Sequence, residues 1–286
     1  NVQNESLTPQ TTALINDNNL INVSNVDQVV TYTVTPTSGS CVGNNFTVSV
    51  TVHPEPVGVV VAGTLCSDVA LGATYTLSTN GTSVSAASYT IATNANGLTQ
   101  SAGTVSAGSG KGALELIDDA WTNQTGSQVD VVYTVTPISS AGCSGQPFTV
   151  TVHVDPEPAT SGPVSAPAVC SDVAVGYVLS VAGASSYTIS TNSNGLTQSG
   201  GTVSAGSGKT AAELSDDKWT NETSAQVNVV YTITPLSGSC NGDVFTVTVP
   251  IDPEPKGTNA SVSICSGGVL NYDLQNNIDG NNGLVS

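Results

Sequence analysis

The sequence predicts an all-β chain built from tandem antiparallel β-sandwiches, and three observations carry that prediction. First, the chain repeats itself at about a hundred residues, a domain-sized period that lets each unit bury its own core. Second, the clearest segments alternate Val with Thr, the two-residue period of a half-buried strand. Third, Gly, Asn and Pro punctuate these segments at short intervals, the spacing of strands joined by turns.

The repeat sets the order of the elements. Ser88–Ile91, Asn96–Gln100 and Ser109–Lys111 return almost letter for letter as Ser186–Ile189, Asn194–Gln198 and Ser207–Lys209. The end of the unit occurs three times, as Tyr32–Pro36, Tyr133–Pro137 and Tyr231–Pro235, each followed by Cys-x-Gly, Phe-Thr-Val or its equivalent, and Pro-Glu-Pro. We divide the chain into the back part of a unit (1–56), two complete units (57–158 and 159–255) and the front part of another (256–286). With both ends out of phase and no Met anywhere, we read it as a segment of a longer array.

Within a unit, strands are expected at Val57–Val61, Ala73–Ser78, Ser88–Thr93 and Leu98–Val105, with a turn at Asn94–Gly97. Gly112–Trp121 holds helix formers and is expected to make a short helical turn. Gln128–Thr136 is β-branched and alternating, and Pro137 is expected to stop it. Phe148–Val154 returns as its hairpin partner, with Phe148, Val150, Val152 and Val154 on one face. Trp121 and Trp219 are the only tryptophans and share one repeat position. We place them in the core with Tyr133 and Tyr231, rather than on the surface as a sugar platform.

Composition excludes several functions. Four Lys and no Arg stand against twenty-one acidic residues, a net charge of −17. Nucleic acid and anionic membranes both demand the opposite sign. No apolar run spans a bilayer, so no membrane insertion is expected in this segment.

No catalytic set is expected either. Gly208-Lys209-Thr210 imitates the tail of a phosphate loop, but Val203 stands where its first Gly belongs. His53 and His153 read as solvent-facing strand residues, and a third copy has Pro250 near that place. The pairs Asp118-Asp119 and Asp216-Asp217 lack any sign of the cleft that acid–base chemistry needs. Asn-x-Ser/Thr triplets such as Asn80-Gly81-Thr82 and Asn221-Glu222-Thr223 are read as chance in a chain rich in these residues. No cofactor is expected. Calcium alone is carried as a candidate, at Asp155 and Glu157 and at Asp252 and Glu254, with Asp68 and Asp172 after the unit-opening cysteines.

Six cysteines, one before and one after each Pro-Glu-Pro, imply disulfides and an oxidising compartment. Three schemes compete. Within units, Cys66 joins Cys143 and Cys170 joins Cys240. Across linkers, Cys41 joins Cys66, Cys143 joins Cys170 and Cys240 joins Cys265. In an interlocked scheme, Cys66 joins Cys240. We favour the within-unit pairs, because the linker-crossing scheme requires the chain to fold back over about 20 Å of strand.

Trp121-Thr122-Asn123, Val131–Pro137, Gly142-Cys143-x-Gly145, Thr149–Val152 and Pro156-x-Pro158 together resemble the PKD-like repeat of Bacteroidetes surface proteins. So do the opening Cys170-Ser171 and the triplet Cys265-Ser266-Gly267. The Trp-Asp-Phe-Gly-Asp-Gly motif of the better-known PKD domain is absent. The resemblance implies Ig-like/PKD-like sandwiches in a rod-like array, an extracellular location at the bacterial cell surface, and a stalk or adhesive role. Such repeats occur in giant adhesins, including those of gliding bacteria exported by the type 9 secretion system. The implied partners are an extracellular surface or glycan held by the parent protein's tip, and outer-membrane export and anchoring machinery. The alternatives are a carbohydrate-binding module or a spacer in a secreted polysaccharide-degrading enzyme.

Overall fold

A computed structural model describes residues 19–104, 106–159, 162–202 and 204–278. The chain divides into two compact units, Asn1–Asn123 with Ser127–Asp155, and Gln124–Gly126 with Pro156–Ser286. Each contains one complete sandwich, called here the first and second module.

The partial repeat that opens the chain is a ribbon of β1 (Gln28–Val34) and β4 (Phe46–Val52), with a small hairpin of β2 (Thr37–Ser38) and β3 (Cys41–Val42) at its turn. The first module follows with β5 (Val61–Cys66), β6 (Ser88–Asn94), β7 (Thr99–Ala102), β8 (Gly108–Lys111), β9 (Ala120–Thr122), β10 (Val129–Ile138) and β11 (Phe148–Asp155). The second has β12 (Val164–Ser165), β13 (Val169–Cys170), β14 (Ser186–Asn192), β15 (Thr197–Gly200), β16 (Gly206–Lys209), β17 (Lys218–Thr220), β18 (Val227–Ser237), β19 (Cys240–Asn241) and β20 (Phe245–Asp252).

One layer of the first module is a sheet in the order β5-β11-β10-β6-β8; its counterpart in the second runs β12-β20-β18-β14-β16. The β10–β11 hairpin is antiparallel, with Val129 opposite Val154 and Val135 opposite Phe148. Its inward residues Phe148, Val150, Val152 and Val154 are all buried, while Thr149 is exposed, as the alternation requires. Strand β5 joins β11 in parallel, Val61 beside Val150 and Cys66 beside Asp155. The second layer is the β7–β9 ribbon continued by two irregular segments. Residues 68–77 lie against residues 113–121 through Asp68 N–H to Trp121 O, Leu71 N–H to Asp119 O and Leu77 N–H to Ala113 O. Leu71, Tyr75, Leu77, Leu116 and Trp121 close the core from this side. The second module repeats the arrangement with Val175, Leu179, Leu214 and Trp219.

Four strand expectations need correction. The first strand begins at Val61 rather than Val57; before it, Gly58 makes only an isolated bridge to Thr79. Ala73–Tyr75 is a 3-10 turn, not a strand, because the Leu71–Leu77 segment pegs Tyr75 and Leu77 into the core. Residues 112–119 form successive i to i+3 turns, the short helical turning expected of Gly112–Trp121, ending as the chain enters β9. Strand β10 runs through Pro137 to Ile138, pairing with β6. Strand β11 begins opposite Val135, so no β11 residue faces Pro137 to miss its absent donor. The strand expected at Leu98–Val105 appears as Thr99–Ala102, and Val105 lies outside the described residues. Asn96 and Gly97 adopt φ of 48° and 92°, the left-handed pair of a tight turn, as expected.

Candidate functional site: the two poles of each module

Each module has an entry pole, where the chain arrives, and an exit pole, where it leaves. The entry pole is built by the Cys-x-Gly loop between the last two long strands. Gly145 donates its N–H to Pro137 O at 2.9 Å, and Gly242 does the same to Pro235 O at 2.8 Å. Both glycines are buried under the incoming linker. A Cβ on Gly145 would sit 1.8 Å from Pro56 O, and one on Gly242 would sit 2.6 Å from Pro158 O. Glycine is therefore required here by close backbone approach, which ties Cys-x-Gly to Pro-Glu-Pro in one local structure.

The exit pole is built by the Cys-Ser pair and the Trp-Thr-Asn run. Ser67 donates its N–H to Asp155 O at 3.0 Å, and its hydroxyl accepts the Asn123 N–H at 2.8 Å. Asn123, fully buried, donates its side-chain amide to Val154 O at 2.7 Å and to Ser127 O at 3.0 Å. In the second module Ser171 and Asn221 make the same bonds, to Asp252 O, Ile251 O and Ala225 O. In the partial repeat, Asn22 reaches Val52 O and Val26 O. Thr223 and Ser24 supply hydroxyls and N–H groups to the amide oxygens of Asn221 and Asn22. The Asn-x-Ser/Thr triplets at these positions are thus Asx turns that hold the exit pole, not accidents of composition. Asn80 likewise caps its own turn, accepting from the N–H groups of Thr82 and Ser83. Repetition at a fixed repeat position was the signal that could have separated structure from chance.

A buried polar network stands behind the poles. Trp121 donates its indole N–H to the Tyr133 hydroxyl at 2.8 Å, and that hydroxyl donates to Asp119 Oδ2 at 2.7 Å. Ser106 and Gln100 donate to the same carboxylate at 2.8 Å each. Trp219, Tyr231, Asp217, Ser204 and Gln198 reproduce the set. Burial pushes the Asp119 and Asp217 carboxyls above their ordinary value, although the donated hydroxyl bonds pull the other way. Burial and the facing carboxylate push the Tyr133 and Tyr231 phenols well up. The paired acids are therefore split in role: Asp119 and Asp217 are buried while Asp118 and Asp216 are exposed. The tryptophans are 7% and 6% exposed, out of reach of a sugar ring.

The other singled-out residues are similarly occupied. Lys209 lies in β16 with its ammonium 2.8 Å from Glu213, in an extended strand rather than a phosphate loop. His53 and His153 face outward, paired with Asp27 and Asp130. Of the candidate calcium ligands, Asp155 and Asp252 accept from Gln128 and Gln226, Glu157 from Gln124, and Glu254 from Ser171. Asp68 and Asp172 adopt φ of 60° and 63° and accept the hydroxyls of Thr122 and Thr220. Among the described residues, no three His, Cys, Asp or Glu side chains converge as a metal site would require.

The cysteines overturn the favoured pairing. Cys66 and Cys240 are disulfide-bonded, whereas Cys143, Cys170, Cys41 and Cys265 are free thiols. Neither Cys66–Cys143 nor Cys170–Cys240 forms, and the linker-crossing pairs are absent as well. The reason lies in the sheet. Cys66 stands beside Asp155 at the exit end of β11, while Cys143 precedes Phe148 at the entry end. The eight residues of β11 separate them by about 23 Å, and disulfide Cα atoms must approach within about 7 Å. Cys170, beside Asp252, and Cys240, before Phe245, are held apart by β20 in the same way.

Comparison with known proteins adds a family. The model of the PKD-like domain matches residues 1–56, 63–158 and 167–255. No curated protein matches the chain. Among solved structures, the chain is similar to mouse cadherin-23 extracellular domains 22–24 at 12% identity, covering 82% of this chain and 77% of that one, with a TM-score of 0.28. It is similar to protocadherin gamma B2 domains 1–5 at 12% identity and a TM-score of 0.25, covering 82% of this chain and 47% of that one. It thus spans about half of that protocadherin chain.

Proposed function

Because the chain belongs to the PKD-like domain family, we propose that it is a structural, adhesion-type segment of a large extracellular protein. Its modules form a stalk that holds a binding tip away from the cell or presents many weak contacts at once. One observation carries this reading: the buried polar residues that recur in both modules are engaged in internal hydrogen bonds. The Asp–Tyr–Trp network and the buried asparagines hold the fold, and the glycines of the Cys-x-Gly loops seat the linkers. Disulfide bonding at Cys66 and Cys240 is the chemistry of an oxidising compartment. We further propose a bacterial cell-surface adhesin of the kind exported by the type 9 secretion system, its tip binding an extracellular surface or glycan. Burial of both tryptophans argues against a carbohydrate-binding module. The test is antibody labelling of intact source cells with and without surface protease. Labelling that the protease removes is expected; labelling only after lysis refutes the proposal.

A further inference from the structure

Each complete module carries one cysteine at each pole, and the two positions recur in both modules. Cys66 and Cys170 occupy the exit pole, each beside the last residue of its module's final strand, Asp155 or Asp252. Cys143 and Cys240 occupy the entry pole, each two residues before the buried glycine that seats the incoming linker. The local structure is the same at equivalent places. Ser67 and Ser171 follow the exit cysteines with the same bonds, and Asp68 and Asp172 share a left-handed backbone.

The repeat thus supplies an internal comparison. At the exit pole Cys66 is disulfide-bonded while its equivalent Cys170 is an exposed free thiol. At the entry pole Cys240 is disulfide-bonded while its equivalent Cys143 is a half-buried free thiol. Both pole positions are therefore competent for disulfide bonding, and the length of the final strand forbids closure within a module.

We propose that Cys170 and Cys143 are coupling thiols for further copies of the repeat. Cys170 takes the entry-pole cysteine of a copy that follows, and Cys143 takes the exit-pole cysteine of a copy that precedes. Chain direction gives the pairing its polarity. A Pro-Glu-Pro linker leaves an exit pole and arrives at an entry pole, and three residues reach only about 10 Å. In the coupling, two Cys S–H groups give up two protons and two electrons as the sulfur–sulfur bond forms. An organic disulfide such as oxidised glutathione accepts them and is cleaved to two thiols. This inference rests on the tandem-module reading and adds to it a second covalent path between consecutive repeats.

The test is a concatemer, residues 1–255 followed directly by residues 57–286, so that Pro255 precedes Val57 as Pro56 does in the native order, with Cys143→Ser in the first copy and Cys170→Ser in the second so that one Cys170 and one Cys143 remain. After folding in a glutathione redox buffer, free thiols are alkylated and the unreduced digest is mapped by mass spectrometry. The expected result is a peptide pair joining Cys170 of the first copy to Cys143 of the second, lost in a Cys170→Ser variant whose circular dichroism is unchanged. Alkylated Cys170, or Cys170 joined to a cysteine of its own module, overturns the proposal. A folded concatemer with free thiols would leave the stalk reading standing, since surface labelling tests that separately. If the concatemer does not fold, the 286-residue chain carrying Cys41→Ser and Cys265→Ser is oxidised at high concentration instead. Multimers joined through Cys170 and Cys143 support the coupling; monomer alone, or like-with-like pairs in statistical proportion, overturns it.

Discussion

Removing one hydroxyl from Tyr133 should destabilise the first module severely, while the same change at Tyr75 should not. Tyr133→Phe keeps the ring, so core packing and the edge-on contact with Trp121, at a centroid distance of 6.4 Å, remain. Two bonds disappear. The Trp121 indole N–H loses its 2.8 Å acceptor, and Asp119 loses its 2.7 Å donor but keeps Ser106 and Gln100. A stranded buried donor costs about 1–3 kcal/mol, and a bond to a charged group contributes about 1.5–3 kcal/mol. Allowing for overlap, the loss is about 3–4 kcal/mol, on the order of 15–20 °C in melting temperature for a module of this size. Tyr75 is the control. Its hydroxyl is buried and, among the described residues, has no hydrogen-bond partner. Tyr75→Phe removes a desolvated group that satisfies nothing, so stability should hold or rise by about 1 kcal/mol. Urea and thermal unfolding under reducing conditions, followed by circular dichroism and tryptophan fluorescence, measure both. If Tyr133→Phe costs less than about 1 kcal/mol, the buried network does not stabilise the module and the reasoning fails.

Further outcomes follow from the same geometry. The raised carboxyls of Asp119 and Asp217 bind protons more tightly folded than unfolded, so their contribution is fully present below the ordinary aspartate pKa. It is lost as pH rises through the folded values, so the melting temperature should fall over that window, and Asp119→Asn with Asp217→Asn should flatten the fall. Asp172, held low by the Ser199 and Thr220 hydroxyls, works in the opposite direction and should remain visible in that variant as stability lost on acidification. Asn221→Ala strands the carbonyls of Ala225 and Ile251 at the exit pole and should cost about 2–3 kcal/mol by urea titration. Gly145→Ala drives a methyl onto Pro56 O and should cost about 1–3 kcal/mol, whereas Ala at the open position Gly126 should change little.

The parts legible in the sequence were those where one periodicity governs. Phe148–Val154 alternates cleanly, and its buried and exposed faces fall where the alternation puts them. Trp121 and Tyr133 could be placed in the core by size and repetition. The segments that failed were those ruled by long-range contact. Ala73–Ser78 has strand-like composition, but docking of Tyr75 and Leu77 curls it into a 3-10 turn. The short Gly-Ser strands β8 and β16 have no hydrophobic pattern and exist only through pairing with β6 and β14. The disulfide expectation failed because parallel pairing of β5 with β11, invisible in the sequence, decides which pole Cys66 occupies. The roles of Asp119 and Asn123 were hidden because an isolated polar letter does not disclose its burial.

Whether the chain is a series of self-contained mechanical modules is tested most directly by stretching the 286-residue chain in a single-molecule force experiment under reducing conditions. Two discrete unfolding events of nearly equal length are expected. One should release the span from β5 to β11, about 34 nm of contour at about 3.6 Å per residue, and the other the span from β12 to β20, about 32 nm. A single event, or extension with no resistance, would contradict it.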